Sequence, residues 1–187
     1  MTVTDAVGRF WVFGYGSLIW NPGFPVAERR VARLEGWHRS FCMRSIHHRG
    51  TPEAPGLVLA LDRAAGAHCD GVAFAVAPGA EPETIAALRE RELISSAYLE
   101  THLSVQFRDG GRVQALAYVI DPDHQQYCGG LGLEEQARII ARSVGGRGTN
   151  RDYLLATHEH LAGLGILDGD LARLAALVRE IGDASGA

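Results

Sequence analysis

Along this 187-residue chain the hydrophobic period changes near Pro82, and that change limits the folds open to it. Before it lie short strand-like runs at residues 9–14, 30–43, 56–61 and 71–77. Each ends close to a turn signal such as Asn21-Pro22-Gly23 or Ala77-Pro78-Gly79. From Pro82 to about Ala97 the composition turns helical, with Ala, Leu, Arg and Glu dominant and a proline suited to the first turn. Two more strands, at residues 103–107 and 113–120, flank an Asp109-Gly110 pair, which predicts an antiparallel hairpin. Three helices follow, at about 133–144, 151–164 and 169–181. Gly145-Gly146 ends the first of these, the stretch from Gly145 to Asn150 reads as a helix-to-helix turn, and Thr149 or Asn150 can cap the next helix. Strands grouped first and helices later, without βαβ alternation, predict an α+β fold with a mostly antiparallel sheet. No repeat, low-complexity tract or linker interrupts the pattern, so residues 1–187 are read as one domain, long enough to bury a core.

Charge narrows the partners. Eighteen Lys and Arg stand against 22 Asp and Glu, with no basic run, so neither a phosphate backbone nor an acidic membrane surface is an expected partner. No stretch is apolar enough to span a bilayer and the first ten residues lack the pattern of a secretory signal, so a cytoplasmic protein is expected. The three cysteines, Cys42, Cys69 and Cys128, are widely spaced and lack a C-x-x-C pairing, which suggests neither a disulfide framework nor a thiolate metal site.

The run WVFGYGSLIWNPGF, Trp11 to Phe24, looks at first like a nucleotide loop. A dinucleotide fingerprint needs a third glycine three residues after Gly16, where Ile19 stands, and Pro22-Gly23 interrupts any following helix. Gly14-Tyr15-Gly16-Ser17 is not a G-x-S-x-G elbow either, because the serine does not sit between the glycines. Two readings remain: a strand end where bare backbone turns N–H groups toward a small anion such as a carboxylate, and a tight turn packed by Tyr15 and Trp20.

A second anomaly lies on the helix after Pro82. At 100° per residue, Ile85, Leu88, Glu92 and Ser96 share one stripe, while Glu83 and Glu90 point away as solvated acids do. Glu92 is thus an acid on the apolar face. Arg89, near the edge of that face, offers it a salt bridge; equally, a carboxylate beside Ser95, Ser96 and Ala97 can line a pocket and act as a proton acceptor. Neither His47-His48 nor His158-Glu159-His160 has metal-ligand spacing, and no metal is expected.

The chain resembles the ChaC family of γ-glutamylcyclotransferases. The resemblance rests on six motifs in family order: VFGYGSLIWNP from Val12, PGLVLAL from Pro55, DGVAFAV from Asp70, RELISSAY from Arg91, ALAYVIDP from Ala115 and GTNRDYL from Gly148. It implies a small β-barrel flanked by helices that cleaves glutathione, a small-molecule substrate, to 5-oxoproline and cysteinylglycine, as a carbon–nitrogen lyase without cofactor or metal. It also implies that Val12, Phe13, Gly14, Tyr15, Gly16, Ser17 and Leu18 hold the γ-glutamyl group, that Glu92 is the catalytic base, and that Tyr153 contacts substrate. Two alternatives stand beside it: a cyclotransferase acting on other γ-glutamyl amines or amino acids, and a non-catalytic γ-glutamyl-binding protein.

Overall fold

A computed structural model of the chain describes residues 4–185. The chain divides into two compact units: Met1–Arg39 with Leu61–His124, and Ser40–Ala60 with Gln125–Ala187.

Five strands make a closed barrel: β1 (Trp11–Gly14), β2 (Val26–Ser45), β3 (Gly56–Val76), β4 (Tyr98–Phe107) and β5 (Arg112–Ile120), in the order β1-β3-β2-β4-β5. The fold is therefore α+β, as expected. β1 is antiparallel to β3, with Val12 opposite Phe74, and parallel to β5, with Val12 opposite Leu116, so this four-residue strand closes the ring. All four of its residues are buried. Its end runs very close to β3: a Cβ on Gly71 would stand 2.5 Å from the Gly14 carbonyl oxygen and 2.8 Å from the Phe13 ring. Glycine is required where two backbones approach like this. β4 and β5 form the hairpin expected from Asp109-Gly110, with a ladder from Tyr98↔Ile120 to Gln106↔Arg112. Inside this unit Phe10, Val12, Leu18, Val76, Leu88, Leu116 and Tyr118 form one buried cluster.

Strand lengths depart from expectation. Residues 56–61 and 71–77 belong to one strand, β3, and β2 runs from Val26 to Ser45 rather than over residues 30–43. Gly36 and Gly66 carry positive φ (81° and 78°) within these strands, so they pass through the left-handed region without ending the ladder. β4 likewise begins at Tyr98, not residue 103.

The helix α1 (Glu81–Glu92) has acids in its first turn and Arg89 and Arg91 in its last, an order that suits the helix dipole. It ends at Glu92, short of the expected Ala97, with the Leu93 N–H bonded to the Arg89 carbonyl. Ser96 therefore leaves the predicted stripe; its φ is 56°, a left-handed value that cannot continue a helix.

In the second unit α2 (Leu133–Arg142), α3 (Asn150–Gly163) and α4 (Gly169–Ser185) pack on one another, and Ile140, Leu154, Leu161, Leu171, Leu174 and Val178 on them are buried. The helix-to-helix connection at Gly145 contains a small ladder of β6 (Val144–Gly145) and β7 (Gly148–Thr149), and α2 ends at Arg142, before it. Thr149 caps α3, its Oγ1 accepting from the Asp152 N–H at 3.0 Å. Asn150 does something else. Fully buried, it accepts from the Leu57 N–H and donates to the Leu57 carbonyl, both at 2.7 Å. No helix among the described residues is long and apolar enough to cross a membrane.

Two stability predictions follow from these contacts. Asn150→Ala strands both backbone groups of Leu57 in a dry site, and chemical denaturation should show a loss of about 2–4 kcal/mol. At the start of the first unit, burial alone would raise the Asp5 carboxyl, but hydrogen bonds from the Trp11 indole, the Arg9 backbone and side chain and the Val7 backbone outweigh it and hold it at about 2. A carboxyl depressed by folding stabilises above its unfolded value and loses that stabilisation as pH falls through the folded one. Asp5→Asn should therefore lower the melting temperature at pH 7, and the gap to wild type should narrow as pH drops from 4 toward 2.

Candidate active site

The strand β1 delivers the chain into a short 3-10 turn, Ser17–Ile19, whose N-cap is Gly16. The Ile19 N–H bonds back to the Gly16 carbonyl at 3.0 Å, and the Asn21 N–H to the Ser17 carbonyl at 3.0 Å. The amides of Ser17 and Leu18 open this turn, and so have no carbonyl within it to bond. A Cβ on Gly14 would meet Phe74 at 3.0 Å and Leu18 at 3.1 Å, so the turn folds back tightly on its own strand. Two buried groups fix Tyr15 between strand and turn. Its hydroxyl donates to the Tyr118 carbonyl at 2.8 Å, and its own carbonyl accepts from Arg39 Nη1 at 3.2 Å. Arg39, itself buried, also donates to the Asp70 carbonyl at 2.8 Å.

Glu92 comes to this turn through its neighbour in sequence. Arg91 Nη2 donates to Ser17 Oγ at 2.8 Å, Nη1 donates to the Asn21 carbonyl at 2.7 Å, and Nε lies 3.1 Å from Glu92 Oε1. One guanidinium thus contacts the first residue of the 3-10 turn, the Asn21 carbonyl just beyond it and the carboxylate at the end of α1. The Glu92 side chain keeps 18% of its surface exposed, whereas Glu83 and Glu90 on the same helix are exposed. Arg89 is not its ion-pair partner. Arg89 makes a two-point contact with Glu100 on β4, at 2.8 and 2.7 Å, and Glu100 Oε2 accepts from the Tyr118 hydroxyl at 3.1 Å. The Arg89 hydrogen bonds hold the Glu100 carboxyl below its ordinary range, against the opposing effect of burial. Burial pushes the Tyr118 phenol far up, and the negative charges of Glu100 and then Glu92 push it further, so Tyr118 stays a neutral phenol in the field of two carboxylates.

The residues expected at the site fall into three groups. Ser17 and Glu92 meet Arg91, and Gly14, Tyr15, Gly16 and Leu18 flank Ser17 in the strand end and turn. Val12 and Phe13 are wholly buried, and Val12 lies in the same core cluster as Leu18, so these two support the turn from below. Tyr153 belongs to the second unit. It is buried on α3, edge-on to Phe41 at 5.9 Å between ring centroids, with the Arg49 guanidinium 5.2 Å from its ring centroid. Sequence reasoning passed over Arg39 and Tyr118, which lie 24 and 103 positions from Tyr15, beyond any local pattern.

Comparison with known proteins fits this architecture. Residues 10–181 match the family model described as ChaC-like protein, and the chain belongs to that family. It is 36% identical over 174 residues to the glutathione-specific γ-glutamylcyclotransferase of Escherichia coli (strain K12), covering 93% of this chain and 74% of that protein. With γ-glutamylcyclotransferase 2-3 of Arabidopsis thaliana it shares 35% identity over 177 residues, 91% of this chain and 89% of the other. In structure it is similar to a crystal structure of the γ-glutamyl cyclotransferase specific to glutathione from yeast. The TM-score is 0.84 at 24% identity, with 92% and 96% of the two chains covered, a likeness of fold.

The Arg91 contact has a measurable consequence of its own. Arg91→Met removes the donors to Ser17 and Asn21 together, and urea unfolding should show a loss of about 1–2 kcal/mol. Arg91→Lys, with a single ammonium in place of a planar fork, should recover only part of it.

Proposed function

We propose that this chain is a γ-glutamylcyclotransferase acting on glutathione, with the 3-10 turn as the cradle of the γ-glutamyl group and Glu92 as the proton-transfer residue. The observation that carries the reading is the Arg91 guanidinium, which bonds the helix-start turn and lies 3.1 Å from the Glu92 carboxylate. The names borne by relatives at 35–36% identity over nine-tenths of the chain support the reaction class and the substrate.

In this reading the nucleophile comes from the substrate. The α-amine of the γ-glutamyl residue attacks its own γ-carbonyl, a new C–N bond closes the five-membered ring, and the old γ-amide C–N bond breaks. The products are 5-oxoproline and cysteinylglycine. The cradle's first task is to hold the substrate curled, with amine and carbonyl within attack distance; orientation of this kind contributes up to about 7–11 kcal/mol in ideal cases. The Ser17 and Leu18 amides suit the α-carboxylate, and the positive Arg91 beside Ser17 adds to the attraction. Glu92 takes a proton from the attacking amine and returns it to the departing nitrogen, which would otherwise leave as a poor anion. Such proton transfer contributes about 10²–10⁴-fold. Val12, Phe13 and Gly14 act through the position of the turn. Tyr153 is retained as a proposed substrate contact on its motif alone.

The same assignment argues against a protein that only binds γ-glutamyl compounds. A carboxylate beside a carboxylate-binding turn repels that part of the ligand, which pure recognition has no use for and proton transfer accounts for. The cytoplasm is the compartment that goes with this reading, since a large reduced glutathione pool is found there.

Purified protein incubated with glutathione should release cysteinylglycine, and Glu92→Gln should lower that rate by at least about 10²-fold while thermal stabilisation by glutathione persists. Wild-type turnover in the Glu92→Gln protein would remove Glu92 from the mechanism. A panel of other γ-glutamyl amines and amino acids, run alongside, reads the leaving-group preference.

A further inference from the structure

Met43 and Tyr127 form an isolated antiparallel bridge in the second unit. The backbone is tied on both sides of it: the Arg44 N–H donates to the Gln126 carbonyl, and the Cys128 N–H donates to the Cys42 carbonyl, each at 2.8 Å. Gln126 Nε2 adds a bond to the Arg44 carbonyl at 2.8 Å, which holds the register. That register sets Cys42 directly opposite Cys128.

Directly opposed residues of an antiparallel pair project to the same face, and at a hydrogen-bonded position their Cα atoms stand about 5.5 Å apart. A disulfide accepts Cα separations of about 4.4–6.8 Å. The register therefore brings the Cα atoms of these two residues into the range that a disulfide accepts, although 85 residues lie between them in the chain, counted from positions 42 and 128. Their exposure differs. Cys42 is 2% exposed and Cys128 is half-buried, so a reagent meets Cys128 first. Cys69, the third thiol, lies in the first unit, buried, with its Sγ 3.8 Å from the Asp70 carbonyl.

We propose that Cys42 and Cys128 are a modification site at which a low-molecular-weight disulfide oxidises the protein, Cys128 being the thiol that reacts first and Cys42 the resolving one. The Cys128 thiolate attacks one sulfur of the small disulfide, forming a mixed disulfide on Cys128 and releasing one small thiolate. The Cys42 thiolate then attacks the Cys128 sulfur, closing the Cys42–Cys128 bond and releasing the second small thiolate. Two protein thiols are oxidised, one small disulfide is reduced to two thiols, and the two protons lost by the protein are taken up by the released thiolates. Burial holds the Cys128 thiol above its ordinary value, with Glu135 adding to the effect and Arg44 opposing it, so the first step quickens as pH rises. The site is independent of the activity proposed above.

The test uses the full chain with oxidised glutathione as the probe, followed by acid quench, alkylation, intact mass and peptide mapping. The wild type should lose two hydrogens, with the Cys42 and Cys128 peptides linked and Cys69 alkylated, several-fold faster at pH 8.5 than at pH 7. Cys42→Ser should instead accumulate one glutathionyl group on Cys128, and Cys128→Ser should acquire neither modification. If Cys42→Ser melts below the assay temperature, Cys42→Ala takes its place with the same expectation. Full alkylation of both Cys42 and Cys128 after oxidant, or a linked peptide containing Cys69, would overturn the proposal.

Discussion

A single guanidinium organises the candidate site. Arg91 projects from the last turn of α1 and meets Ser17, Asn21 and Glu92 together, so the turn that follows β1 and the helix that follows the barrel's third strand are fixed to each other by one side chain. Arginine suits this position because its planar fork offers several donors in fixed directions, which a lysine ammonium does not. The remaining features of the site take their places around that contact. Gly14 lets the turn fold back against Phe74, Arg39 and Tyr118 hold the two ends of Tyr15, and the wholly buried Val12 and Phe13 keep β1 in the barrel wall.

Charge around Glu92 is arranged in pairs. Glu92 lies against Arg91, and Glu100 against Arg89, with the neutral Tyr118 phenol bonded to Glu100. The second pair keeps Glu100 ionised and committed. Glu92 differs from it in having its arginine shared with the turn, so any group bound at the turn and any change of charge on Glu92 are felt by the same cation.

Much of this was legible in the chain, and the failures have physical causes. The α+β class, the hairpin at Asp109-Gly110 and the inward position of Glu92 came from local composition and period, which depend only on near neighbours. The long strands were missed because the middle of β3, from Asp62 to His68, is largely exposed: a ribbon that buries neither face shows no alternation, and Gly66 there looks like a turn. The helix end was missed because Ser96 fits the helical stripe by spacing, while its left-handed backbone turns the chain toward β4. Of the two readings open for Glu92, the salt bridge with Arg89 does not form. A helical wheel places Arg89 three positions away, but Arg89 reaches across to Glu100, and the adjacent Arg91 lies against the carboxylate. Arg39 and Tyr118 gave no signal, since their contacts with Tyr15 exist only once the barrel has closed.

The buried Asn150 amide has a consequence beyond stability. By accepting from the Leu57 N–H and donating to the Leu57 carbonyl, one side chain reproduces the two bonds that a neighbouring strand would make. At that position β3 offers no open ladder to a stray chain, and the recruitment of a foreign strand that exposed sheet edges invite is blocked there by a single amide rather than by the charges or prolines that commonly guard such edges.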